Sequence, residues 1–590
     1  MLSRYRLPLR DLDALASGLG SATAIAGLRA AQLSLRLIGL RAVLDAAELA
    51  GHEDALPGFE LLSDVQQQNP GAVTEVLGYP FAGSWAARCL RQLSGGDGIP
   101  WSVKADLAHL SGIAAAAAIR ADVPFSIAVP VREGAAYLPT LGRLITTHRL
   151  TMTIHSDGRE TVADGIPLSE SPSWQPVRRI RSDTESPALN VVLDDIDPFR
   201  GGPRLPVAPR LGDDALRAWE HSLGRAWDIL VRHHPSYAGA IGAGLVAIVP
   251  MAATRPNRGI NATSRESFGA AAISAVNDSV TLAVGLLHEF QHCKLNAVLD
   301  LIKLHRPDAR RYYAPWRQDP RPLSGLLHGA YAHIGVCDFW RVHAALAVTP
   351  FPAHAQVEFA RWSDCTGRVL GALLESRSLT SVGERFVLAM RERLLSWPTI
   401  VPEEPGRLAR MAAADHRLNW RLRNVRPDAA AVDALARAWR AGAPASDGVA
   451  GVAACLVDGG SALGASNRLD LLYLRLREPD RLAGMTHGTK IERADAELIS
   501  GNVTQAAAAY LDRIMQEPRC PDGWAGLALT LGETKPALLH APELVCALYN
   551  RLLETGGLAP DPRLLADWMT PTVPTDPFQL SDPASPSPSR

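Results

Sequence analysis

The run from Ser279 to His305 contains no proline and little glycine, and it follows Asn277-Asp278, two residues suited to cap a helix N-terminus. A helix is expected here, and that expectation gives meaning to the His288-Glu289-Phe290-Gln291-His292 segment inside it. Because a helix turns about 100° per residue, residues four apart share a face. The two imidazoles therefore stand together with Glu289 beside them. Leu295, Leu299 and Ile302 continue the same stripe, which points the histidines into the protein. Two nitrogen donors with a neighbouring carboxylate make a divalent-metal site that needs at least one more protein ligand and leaves positions open for water or substrate.

The rest of the chain fits an ordinary globular protein. Its 590 residues are 47% hydrophobic and 21% charged, enough for several domains with sizeable cores. Lys+Arg 60 against Asp+Glu 61 leaves a formal net charge of −1, so no global field would draw the chain to nucleic acid or to an anionic membrane. The seven cysteines are scattered, odd in number and free of any C-x-x-C pair, as in a reduced, cytoplasmic protein. No apolar segment follows the basic residues at the N-terminus, so no signal peptide is expected. The longest apolar passage, Tyr237 to Ala253, is glycine-rich and broken by Pro250, too short and interrupted for a membrane span.

The expected fold is mainly α with a small β-sheet, an α+β, multidomain helical protein. Residues 1–120 read as a helical domain, with Leu28, Ala31, Leu35, Ile38 and Ala42 recurring near the helical period. Residues 121–211 form a small mixed region with candidate strands at Phe125–Val131, Leu150–His155 and Asn190–Asp194. Residues 212–350 hold the metal-binding core. In it, a helix carries Leu216, Trp219, Leu223 and Trp227, a strand runs Leu245–Pro250, and the Pro-rich connection Arg310–Pro322 leads to a second helix, Leu323–Ala347. Residues 351–480 continue as helix. Within 481–568, Ala506, Tyr510, Pro518, Trp524 and Leu527 fall at tetratricopeptide-like offsets, equally the pattern of an Ala-rich helical hairpin. The Pro/Ser-rich tail, residues 569–590, is expected to be disordered.

His328 is the candidate third ligand. It lies in the first turns of the Leu323–Ala347 helix, whose Ala332, Gly335 and Phe339 repeat on the same face, and the intervening chain is long enough for an antiparallel return. His333, five positions on, turns away and reads as a surface or locally hydrogen-bonded histidine. In a zinc peptidase Glu289 would be the general base, and Glu358, Glu375 or Glu384 would supply a carboxylate ligand. The longer H-E-x-x-H-x-x-G-x-x-H form is excluded, since Cys293-Lys-Leu-Asn-Ala-Val follows His292. A non-catalytic peptide-binding scaffold with a structural metal is a further alternative.

Four segments carry a resemblance: Phe268-Gly-Ala, Leu286-Leu-His-Glu-Phe-Gln-His-Cys-Lys-Leu, Tyr313-Ala-Pro-Trp-Arg-Gln-Asp-Pro-Arg-Pro, and Leu327-His-Gly-Ala-Tyr-Ala-His-Ile-Gly-Val-Cys-Asp-Phe-Trp-Arg. Together they resemble the H-E-x-x-H peptide-modification proteins encoded beside ribosomally made peptides, which include 2-oxoglutarate-dependent peptide β-hydroxylases. The resemblance is most specific from about Ser264 to Arg341 and extends more loosely over the N-terminal region and Asp415–Leu422. It implies an oxygenase using Fe(II), O2 and 2-oxoglutarate on a ribosomally synthesised precursor peptide, with zinc only under the peptidase alternative. On that reading His288, His292 and His328 hold the iron, a set that departs from the commoner two-histidine, one-carboxylate triad. Glu289 would orient a ligand or water beside the metal. Arg317 or Arg321, in the Pro-rich loop, would take the distal carboxylate of 2-oxoglutarate, or else pair with Asp319. Tyr331 and Ser264 would hydrogen-bond the cosubstrate, or else serve as a packed tyrosine and a capping serine.

Overall fold

A computed structural model describes residues 7–569, apart from 96–101, 147–149, 183–186, 202–204, 253–260, 275–277, 347–350, 399–400, 446–453, 458–465, 484–489 and 557–559. The tail expected to be disordered lies outside the described residues, except that Met569 closes a helix, Pro562–Met569, and is fully buried. The chain is mainly helical and divides into two compact units: Met1–Leu304 with Thr380–Met390, and His305–Leu379 with Arg391–Arg590. Among the described residues no helix is long and apolar enough to cross a membrane.

Among the described residues the first unit opens with six helices between Leu9 and Arg120. In the Ala22–Leu49 helix, Leu28 and Ala31 are buried, but Leu35 and Ile38 face solvent. The buried stripe runs instead through Gln32 and Arg36. Arg36 donates to the carbonyls of Gly78 and Phe268, and burial pushes its pKa down to about 10. The alanine run in the Val103–Arg120 helix is a packing surface: Ala114 to Ala118 are all buried. A Cβ at Gly112 would come 2.3 Å from the carbonyl oxygen of Tyr137, so only glycine lets this helix lie so close to the neighbouring strand.

The β structure is larger than the small sheet expected from sequence. Seven antiparallel strands run in the order Ile166–Pro167, Thr161–Ala163, Thr151–Ser156, Phe125–Arg132, Ala135–Leu138, Gly142–Ile145 and Trp174–Pro176. A second, five-stranded sheet has the order Asn261–Ala262, Ala270–Ser274, Ala247–Met251, Asn190–Leu193 and Arg178–Arg181. Its three central strands are parallel, and both edge strands are antiparallel. Between Asn190–Leu193 and Ala247–Met251 the chain crosses over through the helices Asp213–His233 and Pro235–Gly244, as a parallel pairing requires. Trp219, Leu223 and Trp227 of the first are buried as expected, whereas Leu216 is only partly so.

The second unit is built of helices, with a two-residue hairpin (Arg311–Tyr312 with Arg321–Pro322) in the Pro-rich loop and an unexpected pairing of Val425–Pro427 with Ala454–Leu456. Near the C-terminus, Val503–Gln516 and Pro521–Leu531 form a helical hairpin in which Ala506, Tyr510, Trp524, Leu527 and Ala528 are all buried. Trp524 Nε1 donates to the carbonyl of Pro518 at 2.8 Å, fixing the turn between the two helices.

Candidate metal centre

The helix Ser279–Leu301 is where the sequence places it, with Asp278 accepting a hydrogen bond from the amide of Val280 as its N-cap. It ends sooner than expected: Ile302 is already extended, so the stripe stops with Leu295 buried and Leu299 at its margin. Most of the helix is buried, Leu282, Leu286, Phe290 and Leu295 among its core residues. Lys294, also fully buried, donates to the carbonyls of Gly18 and Leu19, and burial lowers its pKa to about 7.

His288 and His292 face one another on this helix, their ring centroids 4.8 Å apart and their Nε2 atoms 3.1 Å apart. Two imidazole nitrogens bound to one metal at about 2.0–2.1 Å, at angles between square and tetrahedral, stand roughly 2.9–3.4 Å apart. The observed separation lies in that range. Burial pushes the pKa of His288 down to about 4, so its ring is neutral at pH 7, the form that ligates.

Glu289 is buried beside them, with Oε1 3.9 Å from His288 Nε2. Its other carboxylate oxygen, Oε2, accepts a hydrogen bond from the hydroxyl of Thr263 at 2.6 Å. Burial raises the Glu289 pKa to about 7, against a smaller lowering by the Thr263 bond. A carboxyl poised near neutrality can hold or release a proton at working pH. Thr263 was not singled out in the sequence. Its role is tertiary, and the sequence carries no motif for it. Its neighbour Ser264, which was, accepts from the amide of Glu266 at 3.4 Å through its hydroxyl and from Ser267 through its carbonyl, a local turn.

The other candidates, apart from Glu384 of the first unit, stand in the second unit. His328 lies, partly exposed, on the helix Leu323–Ala345. Among the described residues no group of three or more His, Cys, Asp or Glu side chains is gathered to hold a metal ion. His333 is buried, not at the surface. Its Nδ1 lies 2.8 Å from the carbonyl oxygen of Gly329, and its ring sits between those of Trp316 and Trp362. Arg317 Nε and Arg321 Nη1 each donate to Asp319 at 2.9 Å, so both arginines make the local pair that the sequence offered as their alternative. A guanidinium carries five N–H donors, and each side chain is about one-third exposed, at 30% and 33%. Tyr331 is fully buried, which raises its pKa. Of the peptidase-type ligands, Glu358 is engaged by Tyr473 and Trp362, while Glu375 and Glu384 are exposed.

Comparison with protein-family models and with curated proteins finds no match to this chain.

Proposed function

We propose that this chain is an Fe(II)- and 2-oxoglutarate-dependent oxygenase that hydroxylates the β-carbon of a residue in a ribosomally synthesised precursor peptide. The observation that carries the metal part of the reading is the 3.1 Å separation of two neutral-capable imidazole nitrogens on one buried helix. The peptide and cosubstrate parts rest on the resemblance of the segments around them. His288 and His292 hold the metal, and the resemblance makes His328 the third ligand. When bound, iron supplies open positions for the keto acid of 2-oxoglutarate and for O2.

The chain's own groups do the rest. Arg317 or Arg321 takes the distal carboxylate of 2-oxoglutarate through the donors not used on Asp319. Ser264 and Tyr331 are the further hydrogen-bonding candidates, and Glu289 orients what lies beside the histidine pair through Oε1. In the balanced reaction, 2-oxoglutarate and O2 give succinate and CO2. One oxygen atom enters the succinate carboxylate, and the other is inserted into a C–H bond of the peptide. The tetratricopeptide-like hairpin offers a helical surface for a long peptide.

A second reading has one specific observation behind it. Glu289, held near neutrality and 3.9 Å from His288 Nε2, is suited to take a proton from an attacking water, as in a zinc peptidase. A non-catalytic peptide-binding scaffold would keep the histidines for a structural metal and would not need Glu289 to take a proton. Anaerobic loading with iron, followed by assay of succinate with and without a candidate precursor peptide, separates the three. The oxygenase forms succinate and an intact peptide heavier by one oxygen atom. The hydrolase cuts the peptide with zinc alone, without O2 or 2-oxoglutarate, and that result would sink the proposal.

A further inference from the structure

We infer that Thr263 is a positioning residue for Glu289: its hydroxyl holds Oε2, so that Oε1 is the oxygen presented to the metal centre. The inference rests on the metal-centre reading above. A glutamate carboxylate turns about a terminal torsion with a broad, roughly two-fold profile, so burial alone does not choose which oxygen faces which way. The bond from Thr263 makes that choice. A hydroxyl has one proton to give, and Oε2 at 2.6 Å is the closer acceptor, the Glu289 carbonyl oxygen standing at 3.2 Å. Oε1, 3.9 Å from His288 Nε2, is left to act.

The hydroxyl can direct a carboxylate only if it is itself fixed, and the chain on both sides of Thr263 is tied down. Before it, Asn261 and Ala262 pair with Ile273 and Ala272 at the sheet edge. After it, Arg265 donates twice to Asp300 Oδ1, at 2.8 and 2.6 Å, on the last turn of the same helix that carries Glu289. Ser267 and Ser84 hydroxyls are 2.5 Å apart, and Arg36 donates to the carbonyl of Phe268 at 2.8 Å. Thr263 is thus bonded to Glu289 from a loop that is itself fastened to that helix and to the sheet.

The test uses the full chain loaded with Co(II), whose visible absorption reports the groups around a metal, and compares Thr263→Val, Thr263→Ser and Glu289→Gln. Thr263→Val should keep one equivalent of Co(II) but shift the visible spectrum in the direction that Glu289→Gln does, whereas Thr263→Ser should reproduce the wild-type spectrum. With iron, 2-oxoglutarate and peptide, Thr263→Val should lower kcat on the order of 10-fold or more with the peptide KM nearly unchanged, and Thr263→Ser should recover most of it. Thr263→Ala removes the same hydroxyl and carries the comparison if the valine variant does not fold. A Thr263→Val spectrum superimposable on wild type, or a Thr263→Ser spectrum as altered as that of valine, overturns the inference. Absence of succinate from every protein overturns the oxygenase reading alone, because the Co(II) comparison needs no turnover.

Discussion

Trp316 lies flat against Gly329: a Cβ built at that glycine would come 2.0 Å from Cε2 of the indole. The same ring stacks on His333, with centroids 4.5 Å apart and planes 17° apart. The glycine next to His328 is therefore the seat of the Pro-rich loop. Gly329→Ala should drive the indole off the helix, with a loss of about 1–3 kcal/mol from overpacking, measured by urea denaturation. Since Arg317 follows Trp316 directly, the variant should also raise the 2-oxoglutarate requirement. An alanine variant as stable as wild type would show that the indole has room to move.

The metal set makes a separate prediction. Replacing His288 or His292 by Ala removes one of two imidazole nitrogens that stand 3.1 Å apart, and each variant should lose stoichiometric metal, measured by elemental analysis after anaerobic loading. His328→Ala should do the same. A full equivalent retained by His328→Ala alone would assign the third ligand elsewhere while leaving the pair on the Ser279–Leu301 helix in place.

What the sequence made legible was what lies within one helix. Four-residue spacing, a capping Asp278 and a proline-free run are local, so the face shared by His288, His292 and Glu289 could be read directly. The sheets were under-read because their strands depart from alternation: Ala135–Leu138 is buried on both faces, and Arg178–Arg181 is an edge strand, where charged residues are common. In the Ala22–Leu49 helix the periodic Leu35 and Ile38 face solvent, while Gln32 and Arg36 turn inward because Asp300 and three backbone carbonyls wait for them. Thr263 belongs to the same class, since its partner lies a loop and a strand away.

Arg317 and Arg321 flank Asp319 symmetrically, which lets single variants separate their roles. Replacing the arginine that anchors 2-oxoglutarate with Leu removes a charge-assisted hydrogen bond worth about 1.5–3 kcal/mol. At about 1.4 kcal/mol per factor of ten, the KM for 2-oxoglutarate should rise roughly 10- to 150-fold. The other arginine should leave it within about threefold, because its loss costs only a partly exposed pair with Asp319. If neither substitution moves that KM, the anchor is outside the loop.

His109 sets an acid limit on stability, independent of the metal. It is buried on the Val103–Arg120 helix, with its ring 4.7 Å from that of Phe199. Burial, with a smaller push from the Arg132 charge, lowers its pKa from 6.5 to about 3. Between those values the unfolded chain binds a proton that the folded one does not, so stability is full above about pH 6.5 and falls as the pH drops toward 3. At 1.36 kcal/mol per unit, roughly 2 kcal/mol of it should be gone by pH 5. His109→Gln has no such proton to gain, so its urea midpoint should change less between pH 6.5 and 5 than that of wild type, even if the variant is less stable at pH 7. Equal slopes for the two proteins would mean that His109 is not held neutral in the folded state.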